Sequence, residues 1–476
     1  MEHKGLILAL VCLAQFMVVL DISIVNVALP SIEDELGLTT SGLQWVVNAY
    51  TITFAGLLLL GGRAADIFGQ KKLFVLGAAI FGVASLAGGL ANDETTLVIA
   101  RAFQGVGGAV LSPATLTILT TTFAEGRERS KAMGLWSAVA GAGGAAGALL
   151  GGVLTDLVDW RWIFLINVPI AILGVVGAFR LLKARNERMV ASLDSAGAIL
   201  VTSGLIALVY AIVQTEQHGW LATRTVATAA AAVVLLTWFV LHESKVASKP
   251  LMPMSLWRYP SLTVANISML FLASGMFAMW FLLTMALQNV LGYSALEAGL
   301  AFLPMTIAII VGTQISSRIM HRTGARPLVA LGPAVAAVGL AMLSQIDSDS
   351  TYVTDIMIGG MLATFGMGFC MTPVVTLAMA GVKREEHGLA SGLINTSRQV
   401  GGSIGLAALS TLAANRTSQA TGVDPAEALM QGYDAGLIAG AGLVLLASLV
   451  ILAAAPKASG QRKKEVDLSP AEPLEA

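Results

Sequence analysis

Long apolar segments recur from one end of this chain to the other, and they decide what it can fold into. A helix rises about 1.5 Å per residue, so about 20 apolar residues cross a hydrocarbon core about 30 Å thick. Fourteen such stretches are legible. They run at roughly 5–29, 44–61, 73–91, 95–122, 131–153, 162–182, 194–214, 221–241, 261–287, 297–317, 327–345, 355–380, 388–412 and 434–455. In lipid each backbone N–H and C=O needs an internal partner, which leaves helices and closed barrels, and runs of this length are helices. Only 12% of residues are charged, against about a quarter in a soluble domain. The 50 glycines suit close helix–helix contact in a bilayer.

The basic residues set the orientation. With the N-terminus inside, 23 of the 28 Lys and Arg fall in inner segments, three (Arg161, Arg224, Arg416) in outer ones, and two (Arg101, Arg398) within spans. This is the positive-inside pattern for two cytoplasmic termini and an even number of spans. The first apolar run continues past Asp21 to Pro30 and reads as a first span rather than a cleaved leader. Cys12 and Cys370 lie in separate apolar runs and suggest neither a disulfide framework nor a metal site.

The chain repeats itself. The segment Gly62, Asp66, Gly69, Lys71, Leu73 and Gly77 is echoed by Ser317, His321, Gly324, Arg326, Leu328 and Gly332. At a second place, Gly134, Gly143, Gly144 and Gly147 correspond to Gly392, Gly401, Gly402 and Gly405. The fold class expected is therefore an all-α polytopic membrane protein of 14 transmembrane helices. Two six-helix bundles are related by pseudo-two-fold symmetry, with an inserted two-helix hairpin between them. The expected divisions are 1–190, 191–250 for the hairpin, 251–456, and a cytoplasmic tail 457–476. Parallel repeats of this kind place a substrate site between the halves near the midplane. The hairpin reads equally as an oligomerisation element or a spacer.

Several motifs, in order on the expected spans, resemble the major facilitator superfamily and within it the 14-span drug:proton antiporter-2 family. Asp21 through Pro30 looks like that family's first-span signature. Gly62 through Lys72 looks like the superfamily's loop between spans two and three, with Gln70 where a basic residue is usual. Arg101 through Gly105 looks like the fourth-span basic motif. Gly134, Gly143, Gly147, Gly151 and Gly152 match the antiporter motif, with Ala148 where proline is typical. Trp160 through Pro169, with Asn167, is similar to the sixth-span opening. The resemblance implies a bacterial cytoplasmic (inner) membrane antiporter that exports drugs or antibiotics. It implies that the glycine motif biases the protein to antiport. It also implies that Asp66 meets the start of the thirteenth span near Gly388, closing the cytoplasmic side.

Asp21 is the one carboxylate expected well inside a span. It lies roughly 13 Å from Pro30 at helical rise, and Arg101 roughly 9 Å from Thr95, on the same side. An acid that hydrocarbon makes costly to ionise suits a proton carrier. The expectation is that Arg101 tunes the protonation of Asp21 directly, through water or through Gln104. The competing reading is a static ion pair that only fixes packing. Asp66, Gly69, Lys71 and Lys72, with Gly62, read as a gating loop or as a plain topogenic one. Arg398 stands about 15 Å into the thirteenth span without an obvious acidic mate. It reads as a substrate or gate contact, or as a structural hydrogen-bond donor.

Cavity candidates are Gln15, Asn26, Asn48, Trp136, Asn167, Asn266, Trp280, Asn395 and Arg398, joined by Met17, Met276 and Met305, whose thioethers adapt to varied shapes. Neutral, zwitterionic or monocationic substrates fit a chain with one mid-membrane acid. Gly401, Ser403 and Gly405 fit the hydrolase pattern G-x-S-x-G but lie in an expected helix, and no P-loop occurs. The chain is thus expected not to be an enzyme and to hold no metal or cofactor, with the proton as coupling ion. Its expected partners are a small-molecule substrate and the bilayer, not nucleic acid, and it is expected to work as a monomer. A transporter of one defined metabolite, such as a siderophore, amino acid or lipid, is the alternative on the same scaffold. A non-transporting receptor or scaffold is a third reading.

Overall fold

The computed structural model describes residues 4–124, 126–182, 194–248, 250–347, 350–383 and 386–456. The expected tail 457–476 lies outside the described residues. The long helices are α1 (Lys4–Leu36), α2 (Thr40–Phe68), α3 (Gln70–Gly89), α4 (Glu94–Thr122) and α5 (Arg127–Leu157). Then come α6 (Trp162–Leu181), interrupted at Ile166, α7 (Ser195–Val213), α8 (Thr223–Lys245) and α9 (Pro260–Met285). The last are α10 (Ala295–Thr323), α11 (Ala325–Leu343), α12 (Ile358–Met379), α13 (His387–Gln419) and α14 (Pro425–Ala454). Among the described residues there is no strand.

Twelve of these helices are long and apolar enough to cross a membrane. The other two, α5 and α13, have 31 and 33 residues; glycine, serine and amide side chains replace aliphatic ones in α13, and α5 includes side chains outside the described ones. Local chemistry fixes many ends. Thr39, Asp93, Ser294 and Asp424 each accept a backbone N–H at the start of α2, α4, α10 and α14. Such side-chain caps satisfy donors that the helix itself leaves free. Gly69 (φ +92°) and Gly324 (φ +78°) make the sharp turns after α2 and α10, at backbone angles a side chain would strain.

The packing repeats as the sequence does. In the first half α1 packs on α4, α5 and α6, α2 on α4, and α3 on α4 and α6. In the second, α9 packs on α12, α13 and α14, α10 on α12, and α11 on α12 and α14. Each pair in the first list recurs in the second when α1–α6 are read as α9–α14. Between the halves α2 meets α13 and α5 meets α10, which exchange under the same mapping.

Individual contacts obey it too. Lys71 Nζ donates to Phe179 O at the end of α6 (3.0 Å), and Arg326 Nη2 donates to Leu452 O at the end of α14 (2.8 Å). Both cations sit on carbonyls left free at a helix C-terminus. The hairpin helices α7 and α8 pack on each other, and α7 rests on α2 and α13. At one end they are tied by His242 Nε2 and Asp194 Oδ1 (2.8 Å), while Glu243 accepts Met252 N (2.7 Å).

Candidate functional site

The site grows from Asp21, in the middle of α1 and wholly buried. An isolated carboxylate cannot be left there, because its desolvation exceeds what any neutral contact repays. Two helices supply donors. From α4, Arg101 Nη1 reaches Asp21 Oδ2 at 2.5 Å, and Gln104 Nε2 reaches Oδ1 at 2.8 Å. From α6, Asn167 Nδ2 reaches Oδ1 at 2.9 Å. Arg101 and Gln104 are three residues apart and so share a helix face. Asn167 follows the interruption of α6 at Ile166.

Arg101 is itself bracketed. Its Nε donates to Val46 O on α2 (3.0 Å), and its Nη1 also donates to Gln104 Oε1 (3.0 Å). Its guanidinium carbon lies 4.5 Å from the Tyr50 ring centre and 5.9 Å from that of Phe164. Gln104 Nε2 also donates to Ser85 Oγ on α3 (2.8 Å). Arg101 touches Asp21 directly, and Gln104 also bridges the two. Asn167, expected as a cavity residue, is instead a ligand of the acid. Ser85, Tyr50 and Phe164 were not anticipated.

The glycines of α5 divide by face. An ideal Cβ on Gly143, Gly147 or Gly151 would press on α1: 3.2 Å from Phe16 O, 2.6 Å from Ser23 Cβ and 2.8 Å from Ile24 O. Ser23 Oγ donates to Gly144 O (2.7 Å). Gly152 faces the other half, where the same atom would lie 2.6 Å from Ala295 O. Gly134 has open space around it. In α13 the counterparts Gly401 and Gly405 press on α9, and Ser274 Oγ donates to Gly401 O (2.9 Å).

Asp156, at the end of α5, accepts from Ala295 N (3.1 Å) and Leu296 N (2.8 Å) and so caps α10 across the two halves. A carboxylate on a helix N-terminus is the device expected at Asp66, and here it stands at the opposite face. The signal for it, an acid at the close of an apolar run, was legible but unspecific. In the loop after α2, Gly62 is near Pro113, Lys71 is engaged as above, and Lys72 is exposed. The side chains of Asp66 and Gly388 lie outside the described residues.

The remaining candidates are dispersed. Gln15 accepts from Ser112 Oγ (3.3 Å), Asn26 bonds its own helix at Ile22 O, and Trp136 Nε1 donates to Thr115 Oγ1 (3.3 Å). Asn48 is buried with neither amide atom partnered. Asn266 Oδ1 accepts from Ser397 Oγ (2.7 Å), joining α9 to α13, and Trp280 packs on Phe302 at 4.9 Å. Arg398 donates from Nε (3.2 Å) and Nη2 (2.9 Å) to Asn395 Oδ1.

Two packed helical bundles, the first enclosing a buried acid held by three donors, have the form of a membrane transporter. The family model described as Major Facilitator Superfamily matches residues 11–406, and the chain belongs to that superfamily. The chain is 43% identical to the cephamycin export protein CmcT of Amycolatopsis lactamdurans, over 86% of this chain and 85% of that one. It is 38% identical to the puromycin resistance protein pur8 of Streptomyces alboniger, over 93% and 90%. Among solved structures, the POT family transporter PepTSo superimposes with a TM-score of 0.70 at 14% identity, covering 94% of this chain and 97% of that one.

Proposed function

We propose that the protein is a proton-coupled antiporter that exports small organic compounds, antibiotics among them, by alternating access. In this reading α5 and α13 cross the membrane with the twelve apolar helices, giving 14 spans. The units are 1–190, the hairpin 191–250 and 251–456, with both termini cytoplasmic in a bacterial inner membrane. The names of the two relatives support the substrate class.

The observation that carries the coupling is Asp21, buried and bonded at once from α4 and α6. As a carboxylate it accepts from Arg101, Gln104 and Asn167. A proton on either oxygen removes an acceptor site and weakens the pairing with Arg101. Arg101 then remains against the Tyr50 and Phe164 rings, whose faces stabilise a cation. Tyr50 and Val46 belong to α2, which packs on α13 of the other half. Protonation of Asp21 thus changes what Arg101 asks of a helix at the boundary between the bundles, where rocking must occur.

Inside-out vesicles carrying an imposed pH gradient test the reading. Addition of a transported compound should release protons from the vesicle lumen in a protein-dependent way. Transport without proton movement would remove the coupling and leave a uniporter.

A further inference from the structure

Arg398 is a partly buried cation of α13. It sits on α13, eleven residues from His387, hence about 16 Å along the helix. Both of its hydrogen bonds end on one oxygen, Asn395 Oδ1, one turn earlier on the same helix. Among the described residues it makes no ion pair. The other arginine within the bundles, Arg101, is neutralised by Asp21. A guanidinium carries five N–H donors and cannot give up its charge, and an uncompensated charge at such depth is expensive.

The direction of the side chain is also constrained. Gly401 and Gly405 of α13 press on α9, and Gly392 of α13 faces Leu59 of α2. At about 100° per residue, Asn395 projects between those two directions and Arg398 projects from its α9 side. Arg398 is only partly buried. Asn395 is an amide and adds no charge. Its oxygen anchors one side of the guanidinium, and among the described residues Nη1 has no hydrogen-bond partner.

We propose that Arg398, oriented by Asn395, is the anion-recognising group of the transport site, and that the preferred substrates carry a carboxylate or comparable oxyanion. This rests on the export reading above and narrows it to acids and zwitterions. A planar guanidinium suits a carboxylate in two-point contact, and a cationic substrate would meet repulsion there.

Rhodamine B, which has a free carboxylate, and its ethyl ester, which differs at that group alone, test the inference. Binding of each to purified protein is followed by fluorescence anisotropy, and export of each is followed in vesicles. The wild type should bind the acid about 10-fold more tightly than the ester. Arg398→Gln should lose that preference, binding the acid more weakly and the ester as well as or better than the wild type does, which also shows that the variant is folded. Arg398→Lys should restore part of the preference.

Equal binding of the two dyes, no binding of the acid, or a preference that survives in Arg398→Gln would overturn the proposal. Selective binding of the acid without its export would instead uphold the anion site and contradict the export reading.

Discussion

Asn167 Nδ2 lies 2.9 Å from Asp21 Oδ1, so α6 as well as α4 holds the buried acid of α1. Removing that amide leaves Oδ1 with Gln104 alone. A lost bond to a buried charged group costs about 1.5–3 kcal/mol. Because Asn167 stabilises the charged form, Asn167→Ala should make the acid easier to protonate. The pH giving half-maximal transport should move upward, by about one unit or more. A profile unchanged in Asn167→Ala would deny the amide any part in the proton site.

The glycines of α5 make a graded prediction. Gly147→Leu has no room beside Ser23 and Leu20 and should separate α5 from α1. Overpacking of this kind costs about 1–3 kcal/mol, and the yield of folded protein in detergent should fall. Gly134→Ala meets open space and should be obtained at wild-type yield with an unchanged melting temperature. Size-exclusion profiles and thermal melts of the two variants check this order.

Asp156 joins the halves through the first backbone N–H groups of α10. Its loss should cost about 1 kcal/mol of that closure, as for other caps, and favour opening at that face about fivefold. A cysteine replacing buried Val27, in a background lacking Cys12 and Cys370, reports the change. Maleimide labelling should quicken when Asp156→Ala is added, and an unchanged rate would show that Asp156 does not hold the halves together.

At the hairpin, burial works to raise the Asp194 carboxyl. The bonds donated by Gly197 N and the contacts with the Glu243 and His242 side chains outweigh it and hold Asp194 below the ordinary carboxylate range. A group depressed in the folded state lends stability above its unfolded value and loses it as pH falls through the folded value. Asp194 should therefore contribute fully near neutrality and fade only below about pH 4. Asp194→Asn should lower the melting temperature at pH 7 and lower it less at pH 3.5. An equal drop at both values would assign the stability to shape rather than charge.

Much of this was legible from the sequence because helical rise is a ruler. Counting from Pro30 and Thr95 put Asp21 and Arg101 at similar depth, and they touch. The echo of Lys71 in Arg326 is repeated in the fold, where each cation sits on an equivalent helix end. Depth carries no azimuth, however. The sequence could not say that Asn167 turns toward Asp21. Nor could it divide Gly147, against α1, from Gly152, against α10, since both read as small residues on one run. Asp156 looked like any acid at a span end until its partner helix was in place.

The coupling scheme is tested most directly by Asp21→Asn, which keeps the shape of the acid and removes its ability to carry a proton. In proteoliposomes the variant should fail to accumulate substrate against its gradient under an imposed pH difference. It should still exchange labelled for unlabelled substrate at equal concentrations on both sides, which shows an intact binding site. Uphill, pH-driven accumulation by Asp21→Asn at the wild-type rate would contradict the account.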